Sequence, residues 1–419
     1  MDYKGKRVLI FGYGLSGKGC ESFLRKRGTE VYIYDDYKAE CDTSLIDREY
    51  DFAVISPSFS PKHKFVRALD AKSVPILSEP DLAYINCRSK RILAVTGTNG
   101  KTTVCTILYD MLKRVERCHL VGNIGVPFIS EVENIRKGDS VVMEMSSFQI
   151  EQSKFFTPMI AAFTNIGEDH LDRHLNENEY KRIKLSLGDR AGIIVANADD
   201  PNQKGIGKSI TYSIADVHSD YRLQSREIVT KRGKVRLPIR SRGDAYDLDY
   251  LCAYAVASTL CGERKEFLKS YSSVKLPPFR NEYVGEICGA KVFNDSKGTN
   301  IDATLFALSR VTDDTALILG GSDKGESYIR LFEKMPINVR RIYLVGENAG
   351  DMYRSATPEQ RELCLLSADL ESCVTDFIKK PLPILLFSPA SASFDRYSGY
   401  RERGEHFNEI IKKYGATLL

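Results

Sequence analysis

Short, uninterrupted apolar runs recur along the chain, each closed by a glycine or polar turn and followed by a stretch with helical spacing. "RVLIFGYGLSGKGCESFLRKRG" opens this rhythm as a buried strand, a glycine-rich turn and a helix. "EVYIYDD" follows as a second strand, and "DFAVISPS" and "VPILSE" as further short ones. "KRILAVTGTNGKTTVCTILYDMLKR" restarts the strand–turn–helix unit, and "SVVMEMS", "MIAAFTNI" and "AGIIVANAD" continue its strands. Strands alternating with helices predict a parallel sheet covered on both faces. From about residue 208 to 240 the pattern becomes more β-like, with "KRGK" as a hairpin turn, and "YDLDYLCAYAVASTL" then reads as a helix. The pattern breaks at "VKLPPFRNE" (274–282), where two prolines follow a helical region. Beyond it the strand–helix rhythm resumes with "ALILGGSDKG", "RIYLVGENAG" and "PILLFSPASAS".

The predicted class is α/β with three domains, at 1–90, 91–278 and 279–419, the central one carrying a small β portion. A length of 419 residues supports this, since one core rarely organises so long a chain. Hydrophobic content of 42% and charged content of 28% are those of an ordinary soluble protein. A net charge of +4 is small for this length and argues against a protein built to grip nucleic acid. Ten scattered cysteines without a CxxC pair predict reduced, mostly buried thiols in a cytosolic protein. The first residues run straight into a strand, so no leader is expected, and no apolar stretch approaches the ~20 residues that cross a bilayer. A cytoplasmic location without membrane insertion follows as the expectation.

Two glycine-rich turns carry the first chemistry. Gly12, Gly14 and Gly17 form GxGxxG between strand and helix, with Asp35 and Asp36 ending the next strand. Glycine lets the backbone approach a diphosphate at the helix N-terminus, and the acids could accept from ribose hydroxyls. A tight turn without ligand, an NAD site and a nucleotide-sugar site all remain open for these residues. The second turn, "TGTNGKTT", ends like a P-loop but is more compact, Gly97 and Gly100 being three apart. Its backbone N–H groups suit phosphates, Lys101 neutralises their charge, and the Thr102 hydroxyl can ligate Mg²⁺.

Glu144 ends a strand in "MEMSSFQIE", as a Mg²⁺ ligand or as a plain surface acid. "TNIGEDHLDRH" packs Glu168, Asp169, His170, Asp172 and His174 into seven residues, suggesting a metal or phosphate site or else a solvated loop. Lys184 lies on a predicted helix, where a solvated lysine is the ordinary reading.

Taken together and in order, TGTNGKTT, GNIG (122–125), EMSSFQ and NxxxDHxD resemble the ATP-dependent Mur ligases. "EMSSFQIE", "NDSKGTN" (294–300), "GGSDKG" (320–325) and "SPASASFDRY" (388–397) are similar to motifs of the member that adds D-glutamate. The resemblance spans all three predicted domains. It implies a Rossmann-like UDP-binding first domain, a P-loop ATPase-type middle domain, and a Rossmann-like last domain that brings in the amino acid.

The implied activity is ATP-dependent joining of D-glutamate to UDP-N-acetylmuramoyl-L-alanine through an acyl phosphate, for peptidoglycan precursors. The implied cofactors are ATP and two Mg²⁺ ions, and a monomer is expected. By the resemblance, Gly97, Thr98, Asn99, Gly100, Lys101, Thr102 and Thr103 hold the ATP phosphates. Arg280, Asp295 and Lys297 serve the nucleotide from the last domain. Thr102, Glu144, His170 and Lys184 surround Mg²⁺, Lys184 as a carbamate, and with Lys101 make up the catalytic set. Gly14, Leu15, Ser16, Asp36, Asn123 and His170 contact the UDP substrate, and Thr299, Lys324, Ser393 and Tyr400 contact D-glutamate.

The sequence departs from the family pattern at four places. Phe279 stands where His often precedes the hinge arginine, Ser58 replaces a glycine near the expected uracil, and SPASAS replaces SPACAS. "GDAYDLDY" replaces GxHNxxN, with Asp247 and Tyr250 where asparagines near adenine are expected. An aspartate accepts from the adenine amino group but cannot donate. Alternatives to the implied activity are another amide ligase of the superfamily, a nucleotide- or UDP-sugar-binding relative without turnover, and an NAD dehydrogenase, which leaves the P-loop unexplained.

Overall fold

A computed structural model describes residues 2–36, 43–167, 173–238, 244–323, 325, 327–415 and 417–418. It divides into two compact units, Met1–Lys275 and Leu276–Leu419, and holds three sheets. Among the described residues no helix is long and apolar enough to cross a membrane.

The first unit opens with β1 (Arg7–Phe11), α1 (Leu15–Arg25), β2 (Glu30–Tyr34), β3 (Phe52–Ile55), α2 (Lys64–Ala71), β4 (Ile76–Ser78) and α3 (Glu79–Asn86). Its four strands are parallel, in the order β2-β1-β3-β4. The chain continues through β5 (Ile92–Thr96), α4 (Lys101–Leu112), β6 (Cys118–Gly122), α5 (Phe128–Glu131), β7 (Ser140–Glu144), α6 (Ser147–Gln152), β8 (Ile160–Phe163), α7 (Glu177–Asp189) and β9 (Ile193–Asn197). Then come β10 (Ser209–Ser213), β11 (Tyr221–Gln224), β12 (Glu227–Thr230), β13 (Gly233–Arg236), α8 (Asp244–Cys261) and α9 (Lys265–Ser273). The second sheet runs β13-β12-β11-β10-β9-β8-β5-β7-β6, antiparallel only among β11, β12 and β13. The expected turn in "KRGK" joins β12 to β13.

The apolar runs of β5, β7 and β8 are buried along their whole length, as a sheet covered on both faces requires. One apolar cluster joins Val8, Ile10 and Val54 of the first sheet to Ala94, Met143 and Phe163 of the second. The passage between these sheets near residue 90 therefore separates sheets that share a core.

The second unit contains β14 (Glu282–Ile287), β15 (Ala290–Asn294), α10 (Ile301–Ser309), β16 (Thr315–Leu319), α11 (Ile329–Glu333), β17 (Val339–Leu344), α12 (Ala349–Ser355), α13 (Pro358–Arg361) and β18 (Cys364–Leu366). It ends with α14 (Leu370–Lys379), β19 (Ile384–Phe387), α15 (Tyr400–Lys413) and β20 (Thr417–Leu418). Its sheet order is β18-β17-β16-β19-β15-β14-β20. The opening hairpin β14–β15 is antiparallel, a departure from the strand–helix rhythm, and β15, β19, β16, β17 and β18 are parallel.

Both large sheets reverse their strand order at a central strand, where loops at the strand carboxyl ends open a crevice. In the second sheet these loops follow β5, β7, β8 and β6. In the third they follow β16, β19 and β15, which puts the GGSDKG, SPASAS and NDSKGTN motifs side by side.

Candidate active site

The turn between β5 and α4 is shaped by two glycines. Gly100 caps α4 at φ 81°, a left-handed conformation, and Gly97 has φ 150°. A Cβ on Gly97 would sit 1.9 Å from Thr164 Oγ1, and one on Gly100 would sit 2.4 Å from Asp249 Oδ1. The loop after β8 clamps the turn: Thr98 N–H donates to the Asn165 carbonyl at 2.7 Å and Asn99 N–H to Asn165 Oδ1 at 2.9 Å. Thr164 Oγ1 donates to the Asn99 carbonyl at 2.5 Å. Thr102 and Thr103 are buried at the start of α4, whose first amides face along the helix axis towards any bound anion.

Two lysines converge on this turn. Lys101 Nζ donates to the carbonyls of Gly97 (2.8 Å) and Thr98 (2.7 Å). Lys184, only 1% exposed on α7, donates to the same Gly97 carbonyl at 2.7 Å and lies 4.8 Å from the centre of the Tyr180 ring. The ordinary solvated-lysine reading of Lys184 is thereby corrected: its position on α7 turns it into the sheet, towards the phosphate loop.

Glu144 ends β7 and is 2% exposed. Its Oε2 accepts from Thr102 Oγ1 and its Oε1 from Asn123 Nδ2, both at 2.8 Å. A surface acid is thus excluded. The structure joins Thr102, Asn123 and Glu144 into one cluster beside the two lysines. A carboxylate and a hydroxyl are hard oxygen donors, so these residues fit Mg²⁺ next to phosphates. His174 is buried, bonds Ser147 Oγ through Nε2 at 3.0 Å, and packs on Phe148 and Tyr180. Glu168, Asp169, His170 and Asp172 lie outside the described residues, as does Lys324.

The first glycine-rich turn is built differently. Asp35 accepts the Tyr13 N–H at 2.5 Å and so holds the turn itself. Asp36 accepts from the Tyr34 hydroxyl at 2.9 Å and lies 3.5 Å from His63 Nε2, partly exposed. A Cβ on Gly17 would come 2.0 Å from the Gly12 carbonyl oxygen, so glycine there lets α1 close on the turn. Gly14 and Leu15 are exposed and Ser16 half-buried at the start of α1, open to a ligand. The Ser58 carbonyl accepts from Arg173 Nη1 at 3.2 Å.

On α8, Asp247 and Tyr250 face α9 instead of the phosphate loop. The Tyr271 hydroxyl donates to Asp247, and the Tyr250 hydroxyl donates to the Phe267 carbonyl at 2.9 Å. Asp249 is the residue of α8 that lies against Gly100. The expectation that placed Asp247 and Tyr250 at the nucleotide is therefore corrected. Counted from Gly243, GxHNxxN sets its asparagines at Tyr246 and Asp249, so Asp247 and Tyr250 each stand one residue past the motif positions. Successive helical residues are turned by about 100°, so Asp249 lies against the loop while Asp247 and Tyr250 bond towards α9.

In the second unit, Asp295 is buried and accepts from Asn281 N–H (2.9 Å) and Ser388 Oγ (2.7 Å). Burial pushes its carboxyl up to about 7, against the pull of those two bonds and of Arg280. Phe279 has φ 65°, and its ring packs on Gly404, where a Cβ would sit 2.5 Å from a ring carbon. Its carbonyl accepts Lys297 N–H at 3.0 Å, so the residues beside Arg280 are tied to the NDSKGTN loop. Lys297 Nζ sits 4.1 Å over the Tyr400 ring, Thr299 N–H closes on the Lys297 carbonyl at 2.8 Å, and Ser393 is buried.

Two residues that the motifs do not include hold these loops. Arg403, 2% exposed, donates to the carbonyls of Ser296, Ser391 and Ala392, each at 2.9 Å. Burial brings its guanidinium down to about 10. Asn348 accepts Gly321 N–H at 2.9 Å and donates to Ser391 Oγ at 2.6 Å. The available signal for Arg403 is its phase on α15, in line with Phe407, Ile410 and Ile411.

Comparison with known proteins agrees with this geometry. Residues 95–251 match the model of the Mur ligase middle domain. A UDP-N-acetylmuramoylalanine–D-glutamate ligase of Caldicellulosiruptor saccharolyticus is 31% identical over 457 aligned positions, covering 99% of this chain and all of the relative. The chain belongs to the Mur ligase family. A second relative of the same name, from Exiguobacterium sibiricum, is also 31% identical and covers 99% of this chain and 98% of its own. The fold is likewise that of solved Mur ligases. MurF from Thermotoga maritima, in complex with ADP, superposes with a TM-score of 0.65 at 19% identity, over 98% of this chain and 96% of that one. MurC from the same organism gives 0.63 at 17% identity, over 97% and 99%. The cluster of Lys101, Thr102, Glu144 and Lys184 gathers around the carboxyl ends of β5 and β7 in the second sheet.

Proposed function

We propose that this chain joins D-glutamate to the carboxylate of UDP-N-acetylmuramoyl-L-alanine at the cost of ATP, in the cytoplasm. The observation that carries the reading is the convergence of Lys101, Lys184, Thr102 and Glu144 on one phosphate loop, in a chain aligned end to end with relatives that bear this activity's name.

A carboxylate is a poor electrophile and must be activated. Its oxygen attacks the γ-phosphorus of ATP, the bond to the ADP oxygen breaks, and an acyl phosphate forms. The amine of D-glutamate then adds to the carbonyl carbon. The tetrahedral intermediate expels phosphate and the nitrogen loses a proton, leaving the amide. Two anions meet in the first step, and Lys101 supplies positive charge where they meet. The Gly97–Gly100 backbone orients the triphosphate and keeps its γ-phosphorus facing the acceptor. Mg²⁺, held by Thr102 and Glu144 with a second ion near His170 and Lys184, would neutralise charge on the transferred group.

The remaining assignments belong to the same reading. Gly14, Leu15, Ser16, Asp36, Asn123 and His170 serve the UDP substrate. Arg280, Asp295 and Lys297 serve the nucleotide, and Thr299, Lys324, Ser393 and Tyr400 serve D-glutamate. The working parts are 1–90, 91–278 and 279–419, in a monomer.

Lys184 acts as a carbamate: its neutral amine adds CO₂ and releases a proton, turning a cation into an anionic support for Mg²⁺. Lys184→Ala should lose activity and regain part of it with short carboxylates. Near-wild-type activity, unaffected by carboxylate or bicarbonate, would overturn this role.

The test of the whole reading offers the pure protein ATP, Mg²⁺ and UDP-N-acetylmuramoyl-L-alanine with D-Glu, L-Glu, L-Lys or meso-diaminopimelate, one at a time. Phosphate release with D-Glu alone is expected. Release with another amino acid refutes the D-Glu assignment, and release with none makes the chain a nucleotide-binding relative without turnover.

A further inference from the structure

Glu79 is the first residue of α3 and is fully buried. Its Oε1 accepts the Ile129 N–H at 2.7 Å, at the start of α5, while its Oε2 meets no donor among the described residues. Two positions on, Asp81 is equally buried. It accepts from the amides of Phe155 and Phe156 at 2.8 Å and of Lys154 at 2.9 Å. One helix of the first sheet thus grips two segments of the second through carboxylates.

The segment held by Glu79 leads to the cluster around Glu144. Just before α5 the chain makes a tight turn, with Gly122 N–H bonded to the Val126 carbonyl at 2.9 Å. That turn carries Asn123, which donates its N–H to the Glu144 carbonyl at 3.0 Å and its side-chain amide to the Glu144 carboxylate. Four residues cannot sustain a helix alone, so α5 depends on what packs against it. Phe128 and Ile129 are buried, and Gly19 of α1 lets the helices close, since a Cβ there would lie 2.6 Å from Ser130 Oγ. Glu79 supplies a buried carboxyl at this short helix, and when ionised it bonds an amide more strongly than a neutral acceptor does.

We propose that Glu79 is a positioning residue, which fixes α5 and the preceding turn so that Asn123 stays bonded to Glu144. The inference rests on the proposed function only for its kinetic consequence. Burial raises the Glu79 carboxyl to about 7, opposed by the amides of Ile129 and Phe128. Its ionisable neighbours are Asp81 on its own helix and the Cys20 thiol on α1, and α5 contributes its amides. The grip is therefore strongest above that pH, where Glu79 is ionised.

The full chain is tested as Glu79→Gln, Glu79→Asp and Glu79→Ala, with Asn123→Ala as partner. Hydrogen exchange across 122–131, measured without substrates, should accelerate about 10-fold in Glu79→Ala and Glu79→Asp. Glu79→Gln should retain most protection but lose its change near pH 7. Turnover should fall about 10-fold in Glu79→Ala with KM for ATP nearly unchanged. The double variant Glu79→Ala/Asn123→Ala should be no slower than Asn123→Ala alone, because both act through one contact.

Additive losses, or wild-type exchange in Glu79→Asp, would overturn the proposal. If Glu79→Ala does not fold, Glu79→Asp takes its place in the cycle under the same criterion. A wild-type protein that releases no phosphate refutes the proposed function, while the exchange data still decide the role of Glu79.

Discussion

The two glycine-rich turns, at 12–17 and 97–103, share a strand before, a helix after and a left-handed glycine, yet they are equipped for different ligands. In the first, an aspartate fastens the backbone and a second aspartate stands partly exposed, 3.5 Å from a histidine. In the second, two lysines bond one carbonyl and a buried carboxylate stands at the helix start. Turn geometry alone therefore offers a cradle. On the proposed function, the charge placed around it decides whether a hydroxyl-rich diphosphate or a reacting triphosphate is held.

The largest effect expected from this contrast is on turnover. Lys101→Ala should lower kcat by about 10²–10³-fold, as loss of a preorganised charge does. Lys18 of the first turn, which lies 5.6 Å from the Tyr13 ring, is the control, and Lys18→Ala should leave kcat within about 2-fold. Equal losses in steady-state assays would erase the distinction between the turns.

Next in size is the packing of the first turn. An alanine at Gly17 would press on the Gly12 carbonyl, backbone that cannot turn aside, and should cost about 1–3 kcal/mol in denaturant unfolding. Gly14, with φ −73° and no atom within 4 Å of an added methyl, should accept alanine at almost no cost.

A third test concerns the buried acid of the last sheet. The Asp295 carboxyl ordinarily titrates at 3.8 and is raised to about 7 in the fold. Between those values the folded state keeps a proton that the unfolded chain has lost. Stability therefore falls as pH rises from 3.8 to about 7 and levels off above it. Thermal unfolding of Asp295→Asn across this window should show a shallower slope than wild type.

The smallest effect is expected at Asp249, whose carboxylate lies against Gly100. Asp249→Asn removes a negative charge from the phosphate side and should tighten ADP about 3-fold by calorimetry, the size of a weak, solvent-screened Coulomb repulsion. Weaker binding would mean that the carboxylate assists the nucleotide.

Much of this arrangement is legible along the chain because apolar runs buried on both faces have a plain signature. β5, β7, β8, β16 and β19 all lie within such runs, and the motif residues follow them directly. The antiparallel hairpin β14–β15 is not legible in that way. "EYVGEI" mixes exposed and buried positions around a glycine, and nothing in the rhythm marks its direction. β6, with alternate half-buried positions, is short and similarly quiet. On α8, GxHNxxN counted from Gly243 puts its second asparagine position at Asp249, the residue beside Gly100, so that contact is legible from the motif spacing. Arg403 and Asn348 are hidden for another reason: they bond backbone carbonyls, amides and hydroxyls from loops distant in sequence, and only the folded chain brings those partners together.

The central claim is that the acceptor's own carboxylate takes the γ-phosphoryl group at the 97–103 loop. It is tested most directly by labelling that carboxylate of UDP-N-acetylmuramoyl-L-alanine with ¹⁸O and examining the phosphate released during a turnover with D-glutamate. An acyl phosphate passes one labelled oxygen to each phosphate, and that transfer is the predicted result. Unlabelled phosphate, with the label still in the product or the acceptor, would mean that water or another group took the phosphoryl group, and would contradict the account.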